Sequence, residues 1–164
     1  MGDDALKTQK LRAEDNAWFL LATLYGQPRD DAELDNAELI LKNFQSWNRY
    51  MANAIPPDLR EKLVAEGRYS AEELTPSPAS EIELAYLERH IQAGSAASRA
   101  IPSVEPCCTI DFSNLEFDKP LYFFRFFFPK LITFERASFS RVDFDSAIFL
   151  EGASFSGAIF SKQA

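Results

Sequence analysis

The chain has 164 residues, of which 46% are apolar and 26% are charged, a composition typical of soluble globular proteins. Its formal net charge of −8 argues against a protein that binds nucleic acid by neutralising phosphates, so we expect no direct nucleic-acid binding. No apolar run reaches the roughly 18 residues that a membrane span needs. The acidic start, Met1–Asp4, is not typical of a signal peptide, and we expect a cytoplasmic protein.

The first half of the chain is predicted to be helical. Apolar residues at helical spacing predict one helix from Asp4 to Tyr25, which Gly26 and Pro28 end. The same spacing predicts a second helix from about Asp31 to Asn53. A third, shorter helix is expected to follow from Pro57 to Gly67, since proline is favoured in the first turn.

Two further segments have the spacing of a capping box, Ser70–Glu73 and Ser80–Glu83, and the second is expected to open a helix that runs to Ala93. We therefore expect an α-helical domain over residues 1–100 and a linker over residues 101–109. A unit of about 90 residues buries only a modest core. We expect it to fold back onto the side or the first turn of the second half.

A five-residue period dominates the second half. Between Ile132 and Phe160 every fifth residue is Phe, apart from one extra residue at Gly152. A small or β-branched apolar residue stands two places before each Phe. A short fixed period of this kind predicts a repeat architecture, in which each unit buries its apolar face against its neighbours.

This pattern resembles that of the pentapeptide-repeat family, closely over Ile132–Phe160 and fairly over Ile110–Phe117. The resemblance implies a right-handed quadrilateral β-helix over residues 110–164, with four pentapeptides per turn and the Phe side chains inward. The whole chain is then an α+β protein, in which a helical unit precedes a solenoid. The first half is similar to the helical leader that precedes the repeats in some bacterial members of the family.

Four repeats per turn predict four stacks of aromatic residues: Phe112–Phe134–Phe155, Phe117–Phe139–Phe160, Tyr122–Phe144 and Phe127–Phe149. In this register Pro120 and Arg125 fall at inward positions. Burying an unpaired Arg is costly, so we expect a bulge that releases Arg125 to solvent. The spare aromatic residues nearby should cover the helical unit, bind a partner or contact a membrane: Phe123, Phe124, Phe126 and Phe128.

The end of the repeats lacks a visible polar cap. Only four residues follow Phe160. Repeat solenoids need a cap, because their last turn otherwise exposes apolar side chains and unpaired strand edges. Two alternatives follow: the β-helix forms a homodimer through this end, or the repeats continue in a longer protein.

No residue pattern indicates a catalytic, cofactor-binding or metal site. A lone histidine such as His90 on an amphipathic helix is usually a surface or boundary residue. Adjacent cysteines such as Cys107 and Cys108 are typical of free thiols in a reducing compartment. Asp143 and Asp145 flank an inward aromatic residue and have no third metal ligand. We therefore predict that the protein is not an enzyme and has no cofactor.

The leading hypothesis is a non-enzymatic protein–protein interaction or scaffold module of unknown specific role. Its partner would bind outward side chains of the repeats: Ser138, Asp143, Ile148, Ser154 and Ile159. The alternative comes from the resemblance, since some pentapeptide-repeat proteins mimic DNA and regulate type II topoisomerases such as gyrase. From Ile110 onward, however, the chain contains seven acidic and six basic residues, so this half is nearly neutral. A gyrase supercoiling assay tests the alternative. An enzyme built on the helical half is least favoured.

Overall fold

The computed structural model describes residues 10–27, 33–104 and 109–160. Its helices lie in the first half: α1 Ala17–Ala22, α2 Glu33–Met51, α3 Pro57–Ala65 and α4 Ala79–Ala93, with 3-10 helices at Ala13–Asp15 and Ala52–Ala54. The strands are β1 Leu11–Arg12, β2 Ile110–Asp111, β3 Leu115–Phe117, β4 Leu121–Tyr122, β5 Phe127–Phe128, β6 Ile132–Thr133, β7 Ser138–Phe139, β8 Val142–Asp143, β9 Ile148–Phe149, β10 Ala153–Ser154 and β11 Ile159–Phe160. The prediction of a helical half followed by short strands is confirmed.

The first helix is much shorter than predicted. Leu11–Arg12 form a strand instead, and α1 begins only after Asn16. The side-chain oxygen of Asn16 accepts a hydrogen bond from the N–H of Phe19 at 3.0 Å, which caps the helix N-terminus. The predicted helix is therefore wrong between residues 11 and 16, because an N-cap and a strand partner outweigh the helical spacing of the apolar residues. Its residues 4–9 lie outside the described part of the chain.

The other helices agree with the sequence to within a few residues, but one predicted cap is wrong. The box at Ser70–Glu73 forms: the Ser70 N–H donates to Glu73 Oε1 at 2.9 Å, and the Glu73 N–H donates to Ser70 Oγ at 3.1 Å. Helix α4, however, begins at Ala79 after Pro78, with no side-chain cap. Ser80 is thus already helical, because Pro78 fixes the extended residue at which the helix starts.

The strands of the second half lie in four parallel sheets, with orders β1-β3-β7-β11, β10-β6-β2, β4-β8 and β5-β9. From β2 onward, consecutive strands visit the four sheets in turn, and each strand from β2 to β7 pairs with the one four places later. We call each set of four strands a layer: β2–β5 form the first layer, β6–β9 the second, and β10–β11 begin the third. This topology is compatible with a β-helix.

Two of the four predicted aromatic stacks are confirmed. Their nearly parallel rings have centroids 5.0–5.3 Å apart, in the series Phe112–Phe134–Phe155 and Phe117–Phe139–Phe160. These rings fill the space between the sheets, and those of the first two layers are almost completely buried. Only the rings of the third layer are partly exposed.

The other two stacks are wrong by one residue. Phe123, not Tyr122, packs on Phe144 at 5.5 Å, and Phe128, not Phe127, stacks on Phe149 at 5.0 Å. The predicted stacks imply steps of five, five and seven residues from Phe117 to Phe134. The observed steps are six, five and six, through Phe123 and Phe128. This register places Leu121 and Phe126 inward, where both are buried, in place of Pro120 and Arg125.

Arg125 therefore needs no bulge. It occupies a corner between strands with φ of 60°, and the other residues with positive φ in the repeats also occupy corners: Asn114, Arg136, Ser146, Gly152 and Gly157. From this corner the Arg125 side chain points to the helices rather than to solvent, and it is partly buried. The expectation that Arg125 escapes to solvent is wrong, because the helical half supplies its partners.

The helical half covers the first layer, as expected. Phe19 of α1 packs on Phe117 at 5.8 Å, and Trp47 of α2 packs on Phe126 and Phe128 at 5.4 and 5.6 Å. The buried apolar residues of the helices and of the repeats form one continuous cluster. Both halves therefore share a single core.

Polar groups of the helical half also pair with the first layer's outer strand edges. Strand β1 pairs in parallel with β3. The Asn16 side chain donates to the Asp111 carbonyl at 2.9 Å. At β5, the Asn48 side chain accepts from the Phe127 N–H at 2.8 Å and donates to the Arg125 carbonyl at 2.9 Å, while Trp47 Nε1 donates to the Phe127 carbonyl at 2.8 Å. We call Trp47, Asn48 and β1 the first-layer cap.

Candidate functional site

The residues considered for catalysis are not brought together. His90 is buried on α4, and its Nε2 lies 2.7 Å from the Ala97 carbonyl oxygen. Asp143 lies on β8, and its Oδ1 accepts from the Asp145 N–H at 2.8 Å, a local turn contact. Within residues 10–27, 33–104 and 109–160, no group of three or more His, Cys, Asp or Glu could hold a metal ion. Cys107 and Cys108 lie outside these ranges.

The outward residues proposed as a binding surface do not form one row. Ser138 and Ile159 pair across neighbouring strands of the first sheet. The others lie on the three remaining sheets, Asp143 on β8, Ile148 on β9 and Ser154 on β10. The actual row on the first sheet is Arg12–Glu116–Ser138–Ile159, and it includes a residue of the helical half.

The third layer exposes apolar side chains. Phe160 is 48% exposed and Phe155 36%, whereas their counterparts in the first layer, Phe117 and Phe112, are buried. Outward Ile159 is 54% exposed and continues the row of Glu116 and Ser138. Strands β10 and β11 each pair on one side, with β6 and β7. Within the described residues no strand pairs with their other edges. Unpaired strand edges beside exposed rings are the features that favour addition of another chain.

A groove of about 1020 Å³ lies between α2, the segment 70–78 and the corner at Arg125. Its lining includes four large apolar residues: Tyr25, Leu41, Phe44 and Ile82. It also includes three basic and three acidic residues: Lys42, Arg49, Arg125, Glu72, Glu73 and Glu81. This groove was not predicted from the sequence, because the residues that form it are far apart in the chain: those of α2, those of the segment 70–78 and Arg125.

Among the charged residues of the groove, Arg125 is fixed by an ion pair and by contacts with two aromatic rings. Its Nη2 lies 2.7 and 3.0 Å from the two carboxylate oxygens of Glu73. Its guanidinium carbon lies 5.7 Å from the centre of the Phe44 ring and 5.6 Å from that of Tyr69. The Tyr69 hydroxyl donates to the Arg125 carbonyl at 3.2 Å, and burial raises the pKa of Tyr69, which keeps it a donor. Arg125 thus joins the repeats to the helices.

The spare aromatic residues around Arg125 serve this contact between the two halves. Phe123, Phe126 and Phe128 are inward and buried. Phe124 packs against Phe44 of α2, with ring centroids 6.2 Å apart. Outward Phe127 is covered by Tyr69 at 6.1 Å. Of the three alternatives for these rings, the structure shows the internal docking surface.

Replacing Glu73 by Gln should lower the free energy of unfolding at neutral pH. The stability of the variant should also change less than that of the wild-type protein as the pH falls. Burial alone would raise the pKa of Glu73, but hydrogen bonds from Ser70 and Arg125 and the charge of Arg125 hold it below its ordinary value of 4.5. A carboxylate with a lowered pKa contributes stability above its unfolded pKa, and this is lost as pH falls through its folded pKa. We expect a loss of about 1–2 kcal/mol at pH 7 and a smaller loss at pH 3.

Urea unfolding at both pH values measures this difference. Glu72→Gln is the matched control, because the neighbouring Glu72 is exposed and forms no ion pair in the part of the chain that the structure describes. That variant should follow the wild-type protein at both pH values. A Glu73→Gln curve parallel to the wild type across the whole pH range would contradict the role of the Arg125–Glu73 pair.

None of the helices in the described ranges is both long enough and apolar enough to span a lipid bilayer. Comparison of the chain with protein-family models, with curated proteins and with solved structures finds no match.

Proposed function

We propose that the chain is a non-enzymatic, cytoplasmic protein-interaction module of the pentapeptide-repeat type. In this proposal the layers form a right-handed quadrilateral β-helix, and the helical half caps its first layer. Three observations support it: the five-residue period of Phe, the four parallel sheets that the strands visit in turn, and the stacked rings 5.0–5.3 Å apart.

The main support for a protein–protein interaction is the difference between the first and third layers. The first layer has its rings covered by Phe19 and Trp47 and its edges paired with β1, Asn16 and Asn48. The third layer has half-exposed Ile159 and Phe160 and strand edges that no described residue pairs with. Exposed apolar side chains along an unpaired edge mark a contact surface.

A second copy of the chain is the partner that this surface fits best. Two identical third layers can meet around a two-fold axis, so that the same surface of both copies forms the contact. The repeat half is nearly neutral, with seven acidic and six basic residues from Ile110 onward, so little charge repulsion opposes this approach. Such a dimer would bury the rings of Phe155 and Phe160.

Light scattering on the purified 18.6 kDa chain tests the proposal. We expect the wild-type protein to have twice the mass of the chain and Phe160→Glu to have the mass of one, because the dimer would bury this ring and would desolvate a charge in its place. Leu84→Glu is the matched control: it places the same charge at an exposed apolar residue of α4 and should remain a dimer. A wild-type protein that is monomeric at all concentrations would overturn pairing through the third layer.

A further inference from the structure

Helix α4 has apolar residues on two opposite faces. Ile82 and Tyr86 are buried on the inner face, together with Arg89 and His90. On the outer face, Leu84 is 69% exposed and Ile91 74% exposed, and these are the two most exposed large apolar residues in the described ranges. Leu87, between them, is half-buried. The inner face accounts for the packing of α4, but the outer face has no partner among the described residues.

The outer apolar residues form one stripe along the helix. Leu84, Leu87 and Ile91 are separated by three and four residues, the spacing that places side chains on one face of an α-helix. Alternating steps of three and four are also the spacing of the seam through which two helices pack side by side. The stripe therefore has the geometry of a helix-binding surface.

The charged residues of α4 that flank this stripe are acidic. Glu83 lies on one side of it and Glu88 on the other, and both are exposed. Neither forms an ion pair within the described part of the chain. The basic residues of α4, Arg89 and His90, are both buried on the opposite face. Charges that flank an apolar seam select the partner, because like charges repel and opposite charges attract across it.

We propose that the outer face of α4 binds an amphipathic helix of another protein, one whose apolar seam is flanked by Lys or Arg. The apolar stripe supplies the contact area, and Glu83 and Glu88 supply the preference for a basic partner. A second copy of α4 would bring like charges together, so this surface is separate from pairing through the third layer. An anionic membrane is disfavoured for the same reason.

A synthetic peptide of three heptads, with Leu at the seam positions and Lys beside them, is the probe. Its matched control is the same peptide with Glu in place of every Lys. Fluorescence anisotropy of the labelled peptides should show binding of the Lys peptide to the wild-type protein. We expect about tenfold or greater weakening for the Glu peptide, and weaker binding of the Lys peptide as salt rises.

Two variants separate this site from unspecific attraction to an acidic protein. Leu84→Glu with Ile91→Glu makes the chain more acidic, so unspecific binding of the Lys peptide would increase. Loss of binding is expected if the stripe is the contact. Glu83→Gln with Glu88→Gln keeps the stripe, and we expect it to reduce the difference between the two peptides. Circular dichroism and the mass in solution check that both variants remain folded.

Three outcomes would overturn the inference. Equal binding of the Lys and Glu peptides would remove the role of charge, and unchanged binding to Leu84→Glu with Ile91→Glu would place the contact elsewhere. Binding to phosphatidylcholine vesicles that this variant abolishes, with no binding of the Lys peptide, would assign the face to lipid. Because mass in solution tests the third layer, failure here is distinguishable from failure of the proposed dimer.

Discussion

Replacing Trp47 by Ala should cost about 3–5 kcal/mol of the free energy of unfolding, the typical cost of deleting a buried aromatic side chain. Trp47 is fully buried, and its ring packs on Phe126 and Phe128 where the helices meet the first layer. The substitution also leaves the Phe127 carbonyl without the indole donor at 2.8 Å. We therefore expect a value at the upper end of this range, a large part of the roughly 5–15 kcal/mol that stabilises a typical domain.

Urea unfolding followed by circular dichroism measures the loss without relying on the fluorescence of the deleted residue. Trp18→Ala is the matched control, because Trp18 is only partly buried and packs edge-on against Trp47, with ring centroids 6.3 Å apart. We expect a loss of about 1–2 kcal/mol for this control. Equal losses for the two variants would contradict the capping role of Trp47.

Replacing Asn48 by Leu should cost about 1–3 kcal/mol, although Leu has a similar size and is more apolar. The Asn48 side chain is fully buried and pairs with two backbone groups of the repeats, the Phe127 N–H and the Arg125 carbonyl. The substitution leaves the buried Phe127 N–H without this partner, whereas the Arg125 carbonyl keeps the Tyr69 hydroxyl at 3.2 Å. Each unsatisfied buried group costs about 1–3 kcal/mol.

Asn53→Leu is the control for this substitution. Asn53 donates to the Tyr50 and Ser77 carbonyls at 3.0 and 2.7 Å, but it is exposed, so water can replace it. We expect a change below about 1 kcal/mol in the same urea experiment. If Asn48→Leu is as stable as the wild-type protein, the hydrogen bonds to β5 do not hold the helices on the first layer.

The sequence was sufficient to predict the stacks in which the five-residue period is clean. Phe134, Phe139, Phe155 and Phe160 are each the only aromatic residue of their repeat, so their register has one solution. Between Tyr122 and Phe128 six of seven residues are aromatic, and several registers satisfy the period equally well. In a strand, a shift of one residue exchanges the inward and outward side chains. That exchange explains why Tyr122 and Phe127 were predicted inward and Arg125 was predicted to need a bulge.

The first-layer cap could not be predicted because it depends on contacts distant in sequence. The spacing of α2 does place Trp47 on an apolar face, but no local rule indicates that the adjacent Asn48 is buried as well. Its burial is favourable only because the edge of β5 offers a donor and an acceptor at the correct distance. In the same way, Leu11–Arg12 are extended only because β3 is beside them.

The surfaces were predictable only in part. The half-exposed Ile159 belongs to the outward set that the period identified, yet the sheet order separates it from Asp143, Ile148 and Ser154. On α4, the sequence shows the apolar residues only as one set: Ile82, Leu84, Tyr86, Leu87 and Ile91. Dividing that set into an inner and an outer face required the position of the helix against the core.

The pairing of β1 with β3 has a consequence for the order in which the protein is made. Leu11 pairs with Leu115, a partner 104 positions later in the chain (115 minus 11). On the ribosome the helices are synthesised first, but Phe19 and Trp47 have nothing to cover until the first layer has followed them. We expect the half that is translated first to complete its packing last, and its apolar surfaces to be accessible to chaperones in the interval.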